Sequence, residues 1–408
     1  MKFFWEDIKL NKGQMSLFLL IFQSIGIRFF QGQGVMLLSF IIILNYKNLR
    51  LLLNNKIVIF IAIFIFICII QEVDLKTVIL YILIIMSSVC MIGRYLNLEN
   101  SFIRDFKGVA AFFCLYGTIV FVLLIVAKPL FSTLKFISNS EYIHSLFIFI
   151  NSTSTLFPGW YRLSSLAWEP GCFQLVSSLY LLITVKERTN IKKIIWLVLI
   201  QILTGSSMGY INLIMIALFF LLEGRKSIVL IFVVAIVGII VYPILQSNLY
   251  DKIEGSGSGS STIRLRDLTV GIEKIKQNPI IGFPVSKLYE DTEAKAIEDR
   301  VWAQANTYST IDNLGYFAGG YTNGLLGLFL NWGIPFALWM LYMLYKNPII
   351  KYTSRLFVFF FVTIFLLTTI SEPITFTPLF FIFPISFFYR DVFLLKRKKE
   401  QYYKMKNE

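Results

Sequence analysis

The sequence predicts an all-α polytopic membrane protein with about twelve transmembrane helices, and three observations carry that prediction. The 408-residue chain is 57% hydrophobic and only 15% charged, whereas soluble domains run about 25% charged. Its mean hydropathy is +0.71. Its apolar residues arrive in runs of about 15 to 22 separated by short polar breaks, the length a helix needs to cross roughly 30 Å of hydrocarbon. Lipid offers the backbone no hydrogen-bond partners, and the runs lack strand-like alternation, so the spans are expected to be helices.

Taken in order, the expected spans are 13–30, 32–46, 56–71, 75–92, 108–127, 171–185, 191–203, 208–222, 227–245, 321–345, 355–370 and 374–390. Gln31, Gly32 and Gln33 break the first pair, and Gly205 and Gly209 interrupt the 191–222 pair. The opening "MKFFWEDIKLNK" carries both signs of charge and precedes no small-residue cleavage site, so the first helix is expected to stay in the membrane. Cys68, Cys90, Cys114 and Cys172 lie in or beside apolar runs without CxxC spacing and read as buried thiols.

The net charge of +14 reads as a topology signal rather than as a nucleic-acid footprint. With a cytoplasmic N-terminus, one side collects Lys47, Arg50, Lys56, Arg94, Arg104, Lys107, the 186–193 turn, Arg225, Lys226, Lys346, Lys351, Arg355 and the basic tail 391–408. This is the positive-inside pattern, with both termini cytoplasmic, and the tail is placed to meet anionic membrane lipids. Two large loops, 128–170 and 246–320, then fall on the outer face of a single membrane domain, 1–408. Long loops of this kind are usually functional, so chemistry is expected at the outer boundary. No Walker A or GxGxxG pattern is present there to use a nucleotide.

Within "YRLSSLAWEPGCFQLV" (161–176), Pro170 suits the first turn of a helix, and Glu169 before it sits at the positive helix end. Glu169 is thereby a candidate base or a plain cap paired with Arg162; the residues leave both open. The second loop carries a Gly-Ser tether at 255–260, then an amphipathic helix at about 262–277 capped by Ser261 or Thr262, with Leu265, Leu268, Ile272 and Ile275 at helical spacing for the membrane interface. Arg264 and Arg266 in its first turn oppose the helix dipole, which an anion bound to them would offset. The turn "TGSSMGY" (204–210) brings Gly205, Ser206 and Tyr210 to a close helix approach. Asn323 opens the 321–345 span, and "SEPITF" places Glu372 at another helix boundary. His144, the only histidine, reads as a solvated loop residue. No Asp-x-Asp pair or His cluster stands in the outer loops, so neither a metal nor a cofactor is expected. Trp160, Tyr161, Trp168, Trp302 and Tyr308 are interfacial aromatics, suited to belt anchoring or to stacking on sugars.

From about residue 108 onward the chain resembles the O-antigen polymerase family. The resemblance lies in "RLSSLAWEPGCFQ", "TGSSMGY", "STIRLRD" followed by "NPIIGFP", and "TNGLLGLFLNWGIP", in that order. It implies a GT-C-like membrane glycosyltransferase in one superfamily with the O-antigen ligases. It also implies undecaprenyl-diphosphate-linked oligosaccharides as substrates, an active face in the periplasm, and a chain-length regulator protein as partner. The family's functional arginines map onto Arg162 and onto Arg264 or Arg266. The ligase branch usually carries histidine where this chain has Thr322, which favours polymerase over ligase. A lipid-linked oligosaccharide flippase is the alternative of another class; it would place ionisable residues deep in the spans, where this sequence has few besides Arg28.

Overall fold

The computed structural model describes residues 2–97, 101–135, 142–146, 148–157, 160–188, 190–223, 258–288, 290–304, 321–350 and 354–395. They form a mostly helical bundle. The helices are α1 (Lys2–Trp5), α2 (Lys12–Ile25), α3 (Gln33–Leu44), α4 (Asn55–Ile70), α5 (Leu75–Leu96), α6 (Phe102–Val126), α7 (Pro170–Lys186), α8 (Ile191–Thr204) and α9 (Ser207–Leu222). After the gap come α10 (Ser258–Gln277), α11 (Thr292–Gln304), α12 (Gly324–Tyr345), α13 (Arg355–Ser371) and α14 (Pro378–Ser386).

Every expected span except 227–245 falls on a helix, and that one lies outside the described residues, as do Tyr308 and the tail from 396. Among the described residues, length and composition support a full crossing for some of these helices. Four helical segments, Leu75–Leu96, Phe102–Val126, Gly324–Tyr345 and Pro378–Leu395, are long and apolar enough to cross a membrane singly. A fifth would be α3 together with the 3-10 helix Tyr46–Leu53, which meet at 90°. Asn55–Ile70, Pro170–Lys186, Ser207–Leu222 and Arg355–Ser371 are apolar but shorter. Periodicity marks apolar helices without telling a full crossing from a half crossing.

The all-α expectation needs a correction. The first large loop contains strands β1 (Ser132–Lys135), β2 (Tyr142–Leu146) and β3 (Phe149–Ser152) in an antiparallel sheet, and a pair β4 (Thr155–Phe157) and β5 (Trp160–Tyr161). A chain leaving the helical layer still has to satisfy its backbone groups, and short hairpins do so locally. His144 is correspondingly not solvated. It is buried in β2, edge-on to Tyr161 with ring centroids 4.2 Å apart.

Two of the quoted motifs interlock. In α12, Gly333 breaks the helix at φ 72°, ψ 165°. The 278–284 segment "NPIIGFP" packs into that break: Ile334 N–H donates to Pro279 O (2.8 Å) and Phe283 N–H to Leu330 O (2.6 Å). Gln71, at the end of α4, ties both sides together through Nε2 to Ile281 O (2.9 Å) and Asn331 O (2.8 Å). A Cβ on Gly333 would lie 2.1 Å from Ile280 O, in a left-handed backbone region as well. Gly333→Ala is therefore expected to destabilise the protein by about 1–3 kcal/mol, read as a lower thermal midpoint in detergent. An unchanged midpoint would mean that this interlock does not hold the large loop.

The described part of the loop is otherwise a small satellite core. Val270 of α10, Leu288, Ala294 and Ile297 of α11, Tyr321 and Leu330 pack together. Helix α10 begins at Ser258, earlier than expected, and Leu265, Leu268 and Ile272 remain exposed along it.

Candidate active site

Arg162 is positioned by its own backbone before its side chain is used. Its N–H donates to Ser154 O (2.8 Å), its carbonyl accepts from Asn151 Nδ2 (2.9 Å), and the next residue, Leu163, donates to Leu203 O (2.9 Å). Asn151, wholly buried, also accepts from Ser164 N and Oγ at 3.0 Å each. The segment after β5 that carries Arg162 is thereby pinned against the end of α8. There the left-handed turn at Gly205 (φ 59°) ends the helix, and Arg162 Nε donates to Thr204 O at 2.7 Å. A guanidinium at a helix C-terminus satisfies a carbonyl that has no intrahelical partner and offsets the negative end of the dipole. The Nη groups hydrogen-bond to no other described residue.

Glu169 is the N-cap residue of α7, with Pro170 at the first helical position, but its side chain makes no capping hydrogen bond. The carboxylate is not spent on the helix. The segment before it is fixed to the α2–α3 break: Ile27 N–H donates to Leu166 O and Trp168 N–H to Ile25 O, both 3.0 Å, with Gly26 bridged to Ala167. Arg28 thus lies in this break rather than in the core of a span.

Glu372 reaches the same place from the end of α13. It is buried, and Cys172 Sγ donates to its Oε2 at 3.2 Å. It lies so close to α7 that a Cβ on Gly171 would be 1.9 Å from its Oε1, so any larger residue in "EPGC" would displace the Glu372 carboxyl. From the other large loop comes Arg264, exposed and with no hydrogen-bonding partner among the described residues.

The charge of Arg264 is felt at Arg162, Glu169 and Glu372, and that of Glu169 at Arg162 and Glu372. Burial pushes Glu169 above the usual carboxylate range, while Arg162 and Arg264 pull it back. Burial, followed by the charge of Glu169, pushes Glu372 up to about 8, against smaller opposing effects of Cys172 and the two arginines. Burial lowers Arg162, partly offset by Glu169, Glu372 and Tyr210; a guanidinium stays charged throughout. Arg162 and Glu169 are both partly exposed. Two cations, an ionisable carboxylate and a second carboxyl that holds its proton near neutrality can bind a diphosphate and accept a proton beside it.

The structure thus brings together Arg162, Glu169, Arg264, Glu372, Gly205 and Tyr210, which come from elements far apart in sequence. It gives the remaining candidates other work. Ser206 caps α9 through Gly209 N–H, and Asn323 caps α12 through Leu326 N–H (2.9 Å). Arg266 is buried in an ion pair with Asp267 (2.7 Å) and Glu298 (3.2 Å). Asp267 in turn holds the entry to α12: Thr322 donates to its Oδ2 from both N and Oγ1 at 2.6 Å, and Tyr321 Oη donates to its carbonyl at 2.7 Å. This hub, which presents Arg264, was not legible in the sequence. Nor was the role of Cys172, or of the buried amides behind it, where Gln201 Nε2 donates to Ser177 Oγ at 2.7 Å. The available signal was the run of polar residues Cys172, Gln174, Ser177 and Ser178 along an otherwise apolar helix.

No curated protein and no solved structure matches the chain. Residues 194–335 match the family model described as O-antigen ligase. The matched segment runs from α8 through the Gly205 turn, Arg264 and the Asp267 hub to the break in α12, and this match supports the chain's place in the O-antigen polymerase/ligase superfamily.

Proposed function

We propose that the protein polymerises oligosaccharide repeat units carried on undecaprenyl diphosphate, at the outer face of the inner membrane, with Arg162, Arg264 and Glu169 as the working residues. The observation that carries this reading is the meeting of two arginines from separate loops around a carboxylate that its own helix does not use. A lipid diphosphate brings its own energy as a leaving group. The acceptor sugar hydroxyl attacks the anomeric carbon of the donor, and the bond from that carbon to the diphosphate oxygen breaks. The electron pair departs with the diphosphate, whose developing charge Arg162 and Arg264 stabilise. The hydroxyl proton passes to Glu169. Glu372, protonated near neutrality, adds no second negative charge to a site that must admit phosphates. As the diphosphate neutralises the arginines, their depressing effect on Glu169 weakens and the base becomes stronger.

The matched family model names the ligase; Thr322, where the ligase branch has histidine, supports polymerase instead, since its hydroxyl is engaged with Asp267. A flippase is less well supported. The buried polar side chains between α7, α8 and α9 that it would use, Gln174, Ser177, Gln201 and Asn212, are neutral. Deleting the gene separates these readings. A polymerase deletion leaves surface glycolipid capped with one repeat unit; loss of all repeats from the glycolipid while lengthened lipid-linked chains accumulate would identify a ligase, and an intact ladder of chain lengths would remove the polymerase reading.

A further inference from the structure

At the opposite end of α2 from the Glu169 segment lies a cavity of about 450 Å³ that the proposed reaction does not use. It is lined by Lys12 at the start of α2, Lys47 and Arg50 on the 3-10 helix Tyr46–Leu53, and Arg94 in the last turn of α5. No carboxylate lines it. Among the described residues, Lys12, Lys47 and Arg50 pair with no acidic side chain, and Arg94 has Asp105 behind it at 4.0 Å. Like charges gathered around one cavity repel one another, and an anion within it relieves that cost.

The cavity is built rather than accidental. Its roof, the 3-10 helix, turns 90° from α3 and is fastened at three points. Asn45 Nδ2 donates to Ser16 Oγ (3.1 Å) and Ile41 O (2.9 Å), Asn48 Nδ2 donates to Cys90 O (2.9 Å), and Tyr389 Oη donates to Leu51 O (2.7 Å). Gly93 lets it lie directly on α5. Flanking the cations, Ile43, Tyr46 and Leu53 leave apolar surface exposed, at 63%, 59% and 79%. A small soluble anion has no use for that surface, whereas a lipid places its phosphate among the cations and its acyl chains along the apolar flank.

We infer that this cavity is a headgroup site for an anionic phospholipid, on the membrane face opposite the Arg162 cluster. Basic recesses between transmembrane helices suit phosphate headgroups, with each nearby cation worth about 1 kcal/mol, or about fivefold in affinity. The test uses the full chain, delipidated in detergent and titrated with phosphatidylglycerol or phosphatidylcholine, with retention read by native mass spectrometry. One phosphatidylglycerol is expected to be held in preference to phosphatidylcholine, and the double variant Lys47→Gln, Arg50→Gln to bind it about 25-fold more weakly. Should that variant not fold, Lys12→Gln, on a different element, is expected to weaken binding about fivefold. Equal retention of the two lipids, unchanged binding in the variants, or inorganic phosphate binding as tightly as phosphatidylglycerol would each overturn the inference.

Discussion

Arg264→Ala is expected to reduce chain elongation by about 10²- to 10³-fold, the cost of removing one preorganised charge at a developing oxyanion, while the protein reaches the membrane in normal amount. The prediction is sharp because Arg264 is exposed and has no structural hydrogen bond among the described residues that its loss would break. Arg162→Ala is expected to cost at least as much, but it also removes the Nε bond to Thr204 O that ties the segment after β5 to α8. Arg162→Lys separates the two roles: it keeps the charge and loses the planar fork, and is expected to remain well below wild type. Elongation by Arg264→Ala at the wild-type rate would reduce the loop arginines to lipid anchors. Gel ladders of the surface polysaccharide, compared at matched protein level, read all three variants.

Glu169→Gln is expected to lower the elongation rate by about 10²- to 10⁴-fold, the range for losing a general base, with little change in substrate retention. Because burial raises Glu169 above the ordinary value of 4.5, the wild-type rate is expected to fall on acidification at a pH above that value, as the base becomes protonated. Glu372 gives a separate signature in stability. Its folded value, about 8, lies above its unfolded one. Its contribution is therefore fully present below about 4.5 and lost as pH rises through about 8. Glu372→Gln is expected to flatten that loss in thermal unfolding across the same window. A Glu169→Gln enzyme with wild-type rate would return Glu169 to being part of a helix boundary and nothing more.

Much of this arrangement could be read from the residues. Apolar runs announce helices because lipid forces the backbone to satisfy itself, so the break at Gly32 and the turn at Gly205 stand where polar residues interrupt those runs. The expected pairing of Arg162 with Glu169 placed both at one boundary because proximity in sequence across a helix entry implies proximity in space. Long-range pairing was not legible. Arg264 and Arg266 are equivalent in the first-turn argument, and only the carboxylates of Asp267 and Glu298 decide which is buried. The β-hairpins of the first loop are strands of two to five residues, too short for period-two alternation to stand out. Whether Glu169 caps its helix depends on a side-chain rotamer that no spacing rule fixes.

On this proposal the two arginines and Glu169 join repeat units at the expense of a lipid diphosphate. The most direct test of the proposal is incubation of the purified protein with a single undecaprenyl-diphosphate-linked repeat unit, without nucleotide, followed by mass analysis of the products. Oligomers of successive repeat number are expected with release of undecaprenyl diphosphate, both lost in Arg264→Ala and in Glu169→Gln. Recovery of unextended substrate from correctly folded wild-type protein, or elongation by both variants at the wild-type rate, would contradict it.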